Sequence, residues 1–588
     1  MCGIAGIALK PGATLPEETM RALSAAIAHR GPDGEGAHVA AGAVLLQRRL
    51  AIIDLATGDQ PLFEPGGAAL VANGEIYNYV ELKAGTLSGT GFATASDCEP
   101  PLHLYRRDGL GFAQSLRGMY AIAIHDRASR RVVLARDPFG IKPLYVADTP
   151  SGIAFASEPR ALLDAGLVPR GLDRRARDEL IELQFTTGAD TIFPGIRRVL
   201  PGETLSIEDG MIVARERLPA LPDGGPEEIG ESDALARLDA ALRDSVSVHQ
   251  RADVPYGLFL SGGVDSAAVL AAMRLLAERP VLAFTAGFDA PGAADEREAA
   301  RGAARAAGAR HEEITVTEAD FWAHLPEIAA AMDDPAADYA IVPTWLLARR
   351  ARADVKVVLS GEGGDEMFGG YGRYRSAMRP WWLGGRVMRA RGMIERLGLR
   401  RDLAPGWRDG MEAAAAAAAS PGRTRLMAAQ ATDMVDWLPN DLLAKLDRCL
   451  MAHGLEGRTP LLDPAIAAAA FRLPDSLKVR NGSGKWLLRT WLAKAMPEAR
   501  PFAKKQGFTV PVGAWIGAQA ERLAPLLAAD DAVAEVVRPG SVTGLLRGAG
   551  AKHQAFAAWT LLFYALWHRR HVRGMLPAGD VFETLSQR

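Results

Sequence analysis

The chain has 588 residues, 48% of them hydrophobic, with 68 Lys plus Arg against 70 Asp plus Glu and a formal charge of -2. That length exceeds what a single hydrophobic core supports and implies at least two domains. The balanced charge offers no field to gather nucleic acid or anionic lipid, so no nucleic-acid or membrane partner is expected and an enzyme acting on small molecules fits the balance better.

Three scattered cysteines, Cys2, Cys98 and Cys449, fit neither a disulfide framework nor a metal-ligand spacing, so a reducing cytoplasm is the expected location. Met1 to Ile7 carry no basic head before an apolar run, and position 2 is not Gly, so neither a secretory signal nor myristoylation is expected. In chain order, short apolar runs at Ala43–Leu46, Ala69–Ala72, Tyr120–His125, Val132–Ala135 and Ile153–Ala156 read as strands. Helical stretches at Glu17–His29 and Glu99–Arg107 interrupt them, which predicts an α+β sandwich. Pro and Gly punctuate Leu218–Glu231 without hydrophobic periodicity, as linkers do. The predicted division is therefore 1–217, a linker 218–231, and 232–588.

Beyond the linker, strands and helices alternate: helix Ala234–Val248, strand Gly257–Leu260, helix Ala267–Ala277, strand Val281–Phe284, helix Asp295–Ala307 and strand Val355–Leu359. This predicts an α/β domain, a parallel sheet wrapped by helices. From about 375 onward the spacing is helical, with Glu412 and seven following alanines a strong helix former. Ala555–Trp567 falls short of the roughly 20 residues a membrane span needs and reads as a buried core helix.

Removal of Met1 would leave Cys2 with a thiol and a free α-amine. The amine has a reference pKa of about 7.7–8.0, so part of it is neutral and able to take the thiol proton. An acyl-transferring thiolate also needs oxyanion donors and a grip on the substrate's charged ends. Asn73 and Gly74 follow a strand and offer an amide and a backbone N–H; Arg49 is suited to a carboxylate and Asp97 to an α-ammonium. Each alone also reads as a turn residue or a surface ion pair. Together with His29–Gly34 and Asp137–Tyr145, these segments resemble the class II, amino-terminal-nucleophile glutamine amidotransferases over about residues 2–160. The resemblance implies a four-layer αββα sandwich. It also implies Cys2 as nucleophile, Asn73 and Gly74 as oxyanion donors, Arg49, Asn73, Glu75 and Asp97 as glutamine-binding positions, and backbone contacts from Ile52 and Ile53. Cys98 is expected to be structural.

Ser261-Gly262-Gly263-Val264-Asp265-Ser266 lies between a predicted strand and helix, where backbone N–H groups and the helix dipole stabilise phosphate. Asp265 would repel phosphate unless a cation intervened, so it reads as a Mg²⁺ ligand. A second Gly-rich acidic turn, Ser360 to Glu366, follows strand Val355–Leu359, and Asp365 could converge with Asp265 on one metal at the carboxyl ends of the strands. No Walker-type loop competes, because Gly484-Lys485 precedes Trp486.

The first loop resembles the pyrophosphate loop of the ATP pyrophosphatase group, and Ser360–Tyr371 is similar to the second loop of asparagine synthetases. His453–Asp463 and Lys485–Arg489 extend the likeness to about 500 residues. It implies ATP contacts from Phe259, Ser261, Gly262, Gly263, Asp265, Ser266, Ala286, Ser360 and Gly361, and Lys485 neutralising pyrophosphate. It further implies Glu362 supporting the acyl-adenylate, Asp265 and Asp365 on Mg²⁺, and a homodimer. Glutamine would yield ammonia at Cys2, and ATP would activate a carboxylate, aspartate in the asparagine synthetases, for amidation. Between Met332 and Thr344 no Arg of a Thr-x-Arg-Ala type appears, which keeps peptide or sugar acids open as acceptors. A non-catalytic binding protein on this scaffold is the reading from a different class.

Overall fold

The computed structural model describes residues 2–276, 279–289, 295–385, 392–503 and 510–587. Its amino-terminal part carries β1 (Cys2–Leu9), β2 (Gly34–Ala40), β3 (Ala43–Arg49), β4 (Leu62–Phe63), β5 (Ala68–Ile76), β6 (Gly118–Asp126), β7 (Arg131–Arg136), β8 (Tyr145–Thr149), β9 (Gly152–Ala156), β10 (Ile196–Arg198), β11 (Glu203–Glu208) and β12 (Met211–Arg217). They form two six-stranded antiparallel sheets, ordered β10-β8-β9-β1-β3-β2 and β12-β11-β7-β6-β5-β4.

The period-2 alternation of a strand explains the layering. On β1, Ile4 and Ala8 join Leu45, Val71, Ala121 and Leu134 in the core between the sheets, while Ala5, Ile7 and Leu9 face outward onto Leu23 and Leu162 of two helices. The second sheet repeats the scheme, covering Leu70, Ile122 and Val133 with Leu82, Leu102 and Tyr105. Helix, sheet, sheet, helix is the four-layer sandwich the resemblance implied. The two predicted helices are Glu17–Ala26, followed by a 3₁₀ turn Ala28–Arg30, and Pro100–Asp108.

After β12 the next element is the helix Glu231–His249. Five parallel strands follow, β13 (Tyr256–Phe259), β14 (Leu282–Phe288), β15 (Arg310–Val316), β16 (Val357–Leu359) and β17 (Glu456–Arg458), in the order β15-β14-β13-β16-β17. The helix predicted at Ala267–Ala277 runs Val264–Leu276, and its expected last residue lies outside the described residues. β17 falls inside the region read as helical. Three residues are too few to show a period of two, and only pairing with β16 defines them.

The carboxyl-terminal region is otherwise mainly helical, apart from a two-stranded antiparallel pair, Val479–Arg480 with Ser483–Gly484. Its helix Lys552–His571 buries Trp559 and Trp567 fully, and their indole N–H groups donate to the carbonyls of Ala337 (2.6 Å) and Met332 (2.8 Å). Buried tryptophans need such acceptors. Among the described residues no helix is long and apolar enough to cross a membrane.

Candidate active site

Cys2 opens β1 opposite Arg49 of β3, which places the thiol at the end of the sandwich and buries it. Its backbone N–H donates to Asn73 Oδ1 (3.1 Å), and Gln47 Nε2 donates to its Sγ (3.0 Å). The first contact orients the Asn73 amide and leaves Nδ2 buried without a protein acceptor among the described residues. A buried donor so placed costs free energy until a ligand accepts from it, as an oxyanion would. Gly74 has a steric cause: a Cβ there would lie 2.2 Å from the Met119 carbonyl oxygen. Burial pushes the Cys2 thiol above its ordinary value, against the pull of Arg49.

Arg49 donates to Asp59 Oδ1 (2.6 Å) and to the carbonyls of Asp54 (2.6 Å) and Ile53 (3.3 Å), while the Ile52 carbonyl accepts from Asp253 N–H (2.9 Å). Asp59 is a mostly exposed partner, so a ligand carboxylate could replace it. Glu75 and Asp97 are both buried. Asp97 Oδ2 accepts from Ile76 N–H (2.8 Å), and Glu75 lies 3.3 Å from the Arg458 guanidinium. Burial lifts both carboxyls, and Asp97 and Glu456 lift Glu75 further. Two carboxyls raised in this way would be returned to their charged forms by an ammonium between them. Cys98 is buried beside Asp97 and its thiol is pushed well up by burial.

The second site lies beyond the carboxyl ends of β13, β14 and β16, in a cavity of about 320 Å³. Phe259, Ser261, Gly263, Asp265, Ser266, Ala286, Ser360, Gly361, Glu362 and Asp365 line it, and Gly262 and Lys485 line the adjoining cleft. Ser261 Oγ and Ser266 Oγ meet at 3.0 Å, and Gly263 N–H donates to Ser261 Oγ (3.1 Å), which tightens the turn at the start of helix Val264–Leu276. The two loops touch through glycine: a Cβ on Gly361 would sit 2.6 Å from Ser266 N, and one on Gly364 would sit 2.4 Å from Asp265 Oδ1.

Asp265 and Asp365 converge, and Lys485 Nζ bridges them, 2.7 Å from Asp365 Oδ1 and hydrogen-bonded to Asp265 Oδ2. Lys485 adopts a left-handed φ of 59°, a strain that non-glycine residues keep mainly where function holds them. Burial draws its ammonium pKa down, but the two carboxylates outweigh it and keep the lysine charged. Glu362 lies 3.7 Å from Lys445, and burial raises its carboxyl against that lysine's pull.

Several residues here were not found from the sequence. Gln47 alternates with Arg49 on β3, and that alternation was the available clue. Glu296, which accepts from Gly262 N–H (3.2 Å), and Lys445, bonded to Asp338 (2.9 Å), come from distant segments. So does the joint between the halves. Arg30 donates to the Cys2 carbonyl (3.2 Å), to Glu158 (2.9 Å) and to both oxygens of Asp447 (2.7 and 3.0 Å). Asp447 lies on helix Leu443–Met451, which also sends Lys445 and Leu446 into the 320 Å³ cavity. One apolar cluster runs from Leu50, Met119, Phe139 and Ile141 into Leu359, Leu442 and Leu443.

The sequence matches the Asparagine synthase family over residues 237–569 and the Glutamine amidotransferase domain over residues 1–217. It is 36% identical to a putative asparagine synthetase [glutamine-hydrolyzing] of Mycobacterium tuberculosis, with 97% of each chain covered. It is 32% identical to asparagine synthetase [glutamine-hydrolyzing] 1 of Bacillus subtilis, covering 97% of this chain and 96% of that one. A solved glutamine phosphoribosylpyrophosphate amidotransferase from B. subtilis aligns at 22% identity over 53% of this chain and 65% of its own, with a TM-score of 0.28, too low to bear on the fold. With two domains matched and relatives similar along almost their whole length, the chain belongs to the asparagine synthase family.

Proposed function

We propose that the chain is a glutamine-dependent asparagine synthetase, in which 1–217 release ammonia from glutamine, 218–231 link the halves, and 232–588 activate aspartate with ATP and amidate it. Glutamine, aspartate, ATP and water become glutamate, asparagine, AMP and diphosphate. The observation that carries the reading is helix Leu443–Met451, whose Asp447 grips Arg30 beside Cys2 while its Lys445 enters the ATP-type cavity.

In the first half the α-amine of processed Cys2, held by Asn73 Oδ1, takes the thiol proton. The thiolate attacks the side-chain amide of glutamine, and the oxyanion accepts from Asn73 Nδ2 and Gly74 N–H. Ammonia leaves, and water hydrolyses the thioester to glutamate. Arg49 binds the α-carboxylate of glutamine by exchanging Asp59 for it, and Glu75 and Asp97 bind the ammonium.

In the second half the Ser261–Ser266 turn cradles phosphate, and the adenosine end lies against Phe259 and Ala286. Asp265 and Asp365 supply the carboxylate oxygens that suit Mg²⁺ and already converge on one cation, so they would hold the ion, which neutralises phosphate charge. Aspartate displaces diphosphate at the α-phosphorus, since AMP leaves a carbonyl far more readily than oxide does. Glu362 faces the adenylate and accepts a proton as ammonia adds. The apolar cluster between the halves keeps ammonia from water, which would protonate and dilute it.

The same reading places the enzyme in the cytoplasm and expects a homodimer, which sedimentation checks. An acceptor screen tests the main claim: AMP release and product mass are measured with glutamine, ATP and Mg²⁺ against aspartate and larger acids. Asparagine from aspartate is the expected product. Amidation of a peptide or sugar acid alone would replace aspartate as the acceptor, and no turnover with any acid would make the chain a binding protein.

A further inference from the structure

The 320 Å³ cavity is lined by five carboxylates, Asp265, Glu296, Glu362, Asp365 and Glu366, and among the described residues by a single cationic side chain, Lys445. Burial raises the carboxyls of Glu362 and Glu366, and Lys485 bridges Asp265 and Asp365, so Lys445 is the cation of this lining nearest Glu362. Lys445 is nearly buried, with Nζ 2.9 Å from Asp338 Oδ2 and 3.7 Å from Glu362 Oε1. Asp338 is fixed in turn, its other oxygen accepting from Ala340 N–H (3.0 Å) at the start of the helix Ile341–Ala351. Burial draws the Lys445 pKa down, but Asp338 and Glu362 raise it further, so the side chain is charged.

A fixed ammonium lining the cavity is the complement of the α-carboxylate of an amino-acid head group. The reacting carboxylate has to reach the phosphate end, where Lys485, Asp265 and Asp365 lie. The head group is then left against the wall of Ala340, Thr344 and Lys445, next to Glu362, whose Oε1 is 3.7 Å from Lys445 Nζ. We infer that Lys445, which Asp338 positions, binds the non-reacting α-carboxylate of the acceptor. This rests on the asparagine reading and adds a residue that selects the acceptor.

The test compares wild type, Lys445→Gln and Lys445→Arg on aspartate and on isoasparagine, the α-carboxamide, which keeps the reacting carboxylate but loses the α-charge. Isoasparagine is measured as a substrate or as a competitive inhibitor. In K445Q the aspartate KM should rise about ten- to a hundredfold, the scale of a lost hydrogen bond to a charged group. The preference for aspartate over isoasparagine should fall by a similar factor. The KM for ATP and the hydrolysis of glutamine should change less than about threefold, and K445R should retain part of the preference. A wild type that leaves aspartate unamidated overturns the asparagine reading and this inference with it. A wild type that amidates aspartate overturns this inference alone if K445Q keeps the preference, or if it loses ATP and both acceptors equally.

Discussion

In the proposed mechanism, Cys2 freed of Met1 takes its base from its own α-amine. Burial holds its thiol above the ordinary range, so the sulfur is protonated at neutral pH and the reaction waits on a neutral amine. Protonation below the amine's pKa of about 7.7–8.0 removes that base. Glutaminase kcat/KM is therefore expected to rise with pH through this range and to level off above it, and a profile that falls as pH rises would contradict the assignment. Asn73 can be tested more directly. Asn73→Ala deletes the unaccepted Nδ2 donor and should lower kcat for glutamine hydrolysis about 10²–10³-fold, while asparagine formation from added ammonium stays near wild type. These residues drew attention because each sits in a short motif of distinctive chemistry, but Asn73 and Gly74, expected to follow a strand, lie within β5, and Cys2 opens β1. Gln47 and Lys445 were not legible, because neither a glutamine in a strand nor a lysine in a helix signals its surroundings until chain segments far apart are brought together.

At the scale of elements, the glycines of the second loop are set by what they touch. The Cβ of an alanine at 361 would lie 2.6 Å from Ser266 N and 2.9 Å from the Asp265 carbonyl carbon, both backbone atoms that cannot rotate away. Gly361→Ala should therefore push the two loops apart and lower ATP-dependent asparagine formation at least about tenfold, with glutamine hydrolysis intact, when both are assayed on the same preparation. Equal losses in both activities would show that the substitution acts through folding. The strand–loop–helix order behind this geometry was readable from β13 and β16, where apolar runs end in Gly-rich acidic turns. β17 was hidden, since its Glu-Gly-Arg sequence has no strand character and two of its side chains, Glu456 and Arg458, are buried ions bonded to each other. A local pattern cannot anticipate charges stabilised only by tertiary partners.

For the whole molecule, the question is why two chemistries share one chain. An α+β sandwich and a parallel sheet were legible from hydrophobic periodicity, the four layers from the resemblance, and the candidate sites from their motifs, but the way they face each other was not. That depends on Arg30 reaching Asp447, 417 positions away, and on Leu50 and Phe139 packing in one cluster with Leu442 and Leu443. Burial alone would protonate Asp447, but Arg30 and Arg448 hold its carboxyl below the usual range, which keeps this joint ionised at neutral pH. With the halves joined in this way and an apolar cluster packed between them, the proposed function predicts that ammonia passes from Cys2 to Glu362 without mixing with solvent. The direct measurement is turnover with amide-¹⁵N glutamine in excess ¹⁴N ammonium, reading isotope in the asparagine formed. The account predicts that most product carries ¹⁵N; product that takes the isotope ratio of the surrounding ammonium would contradict it.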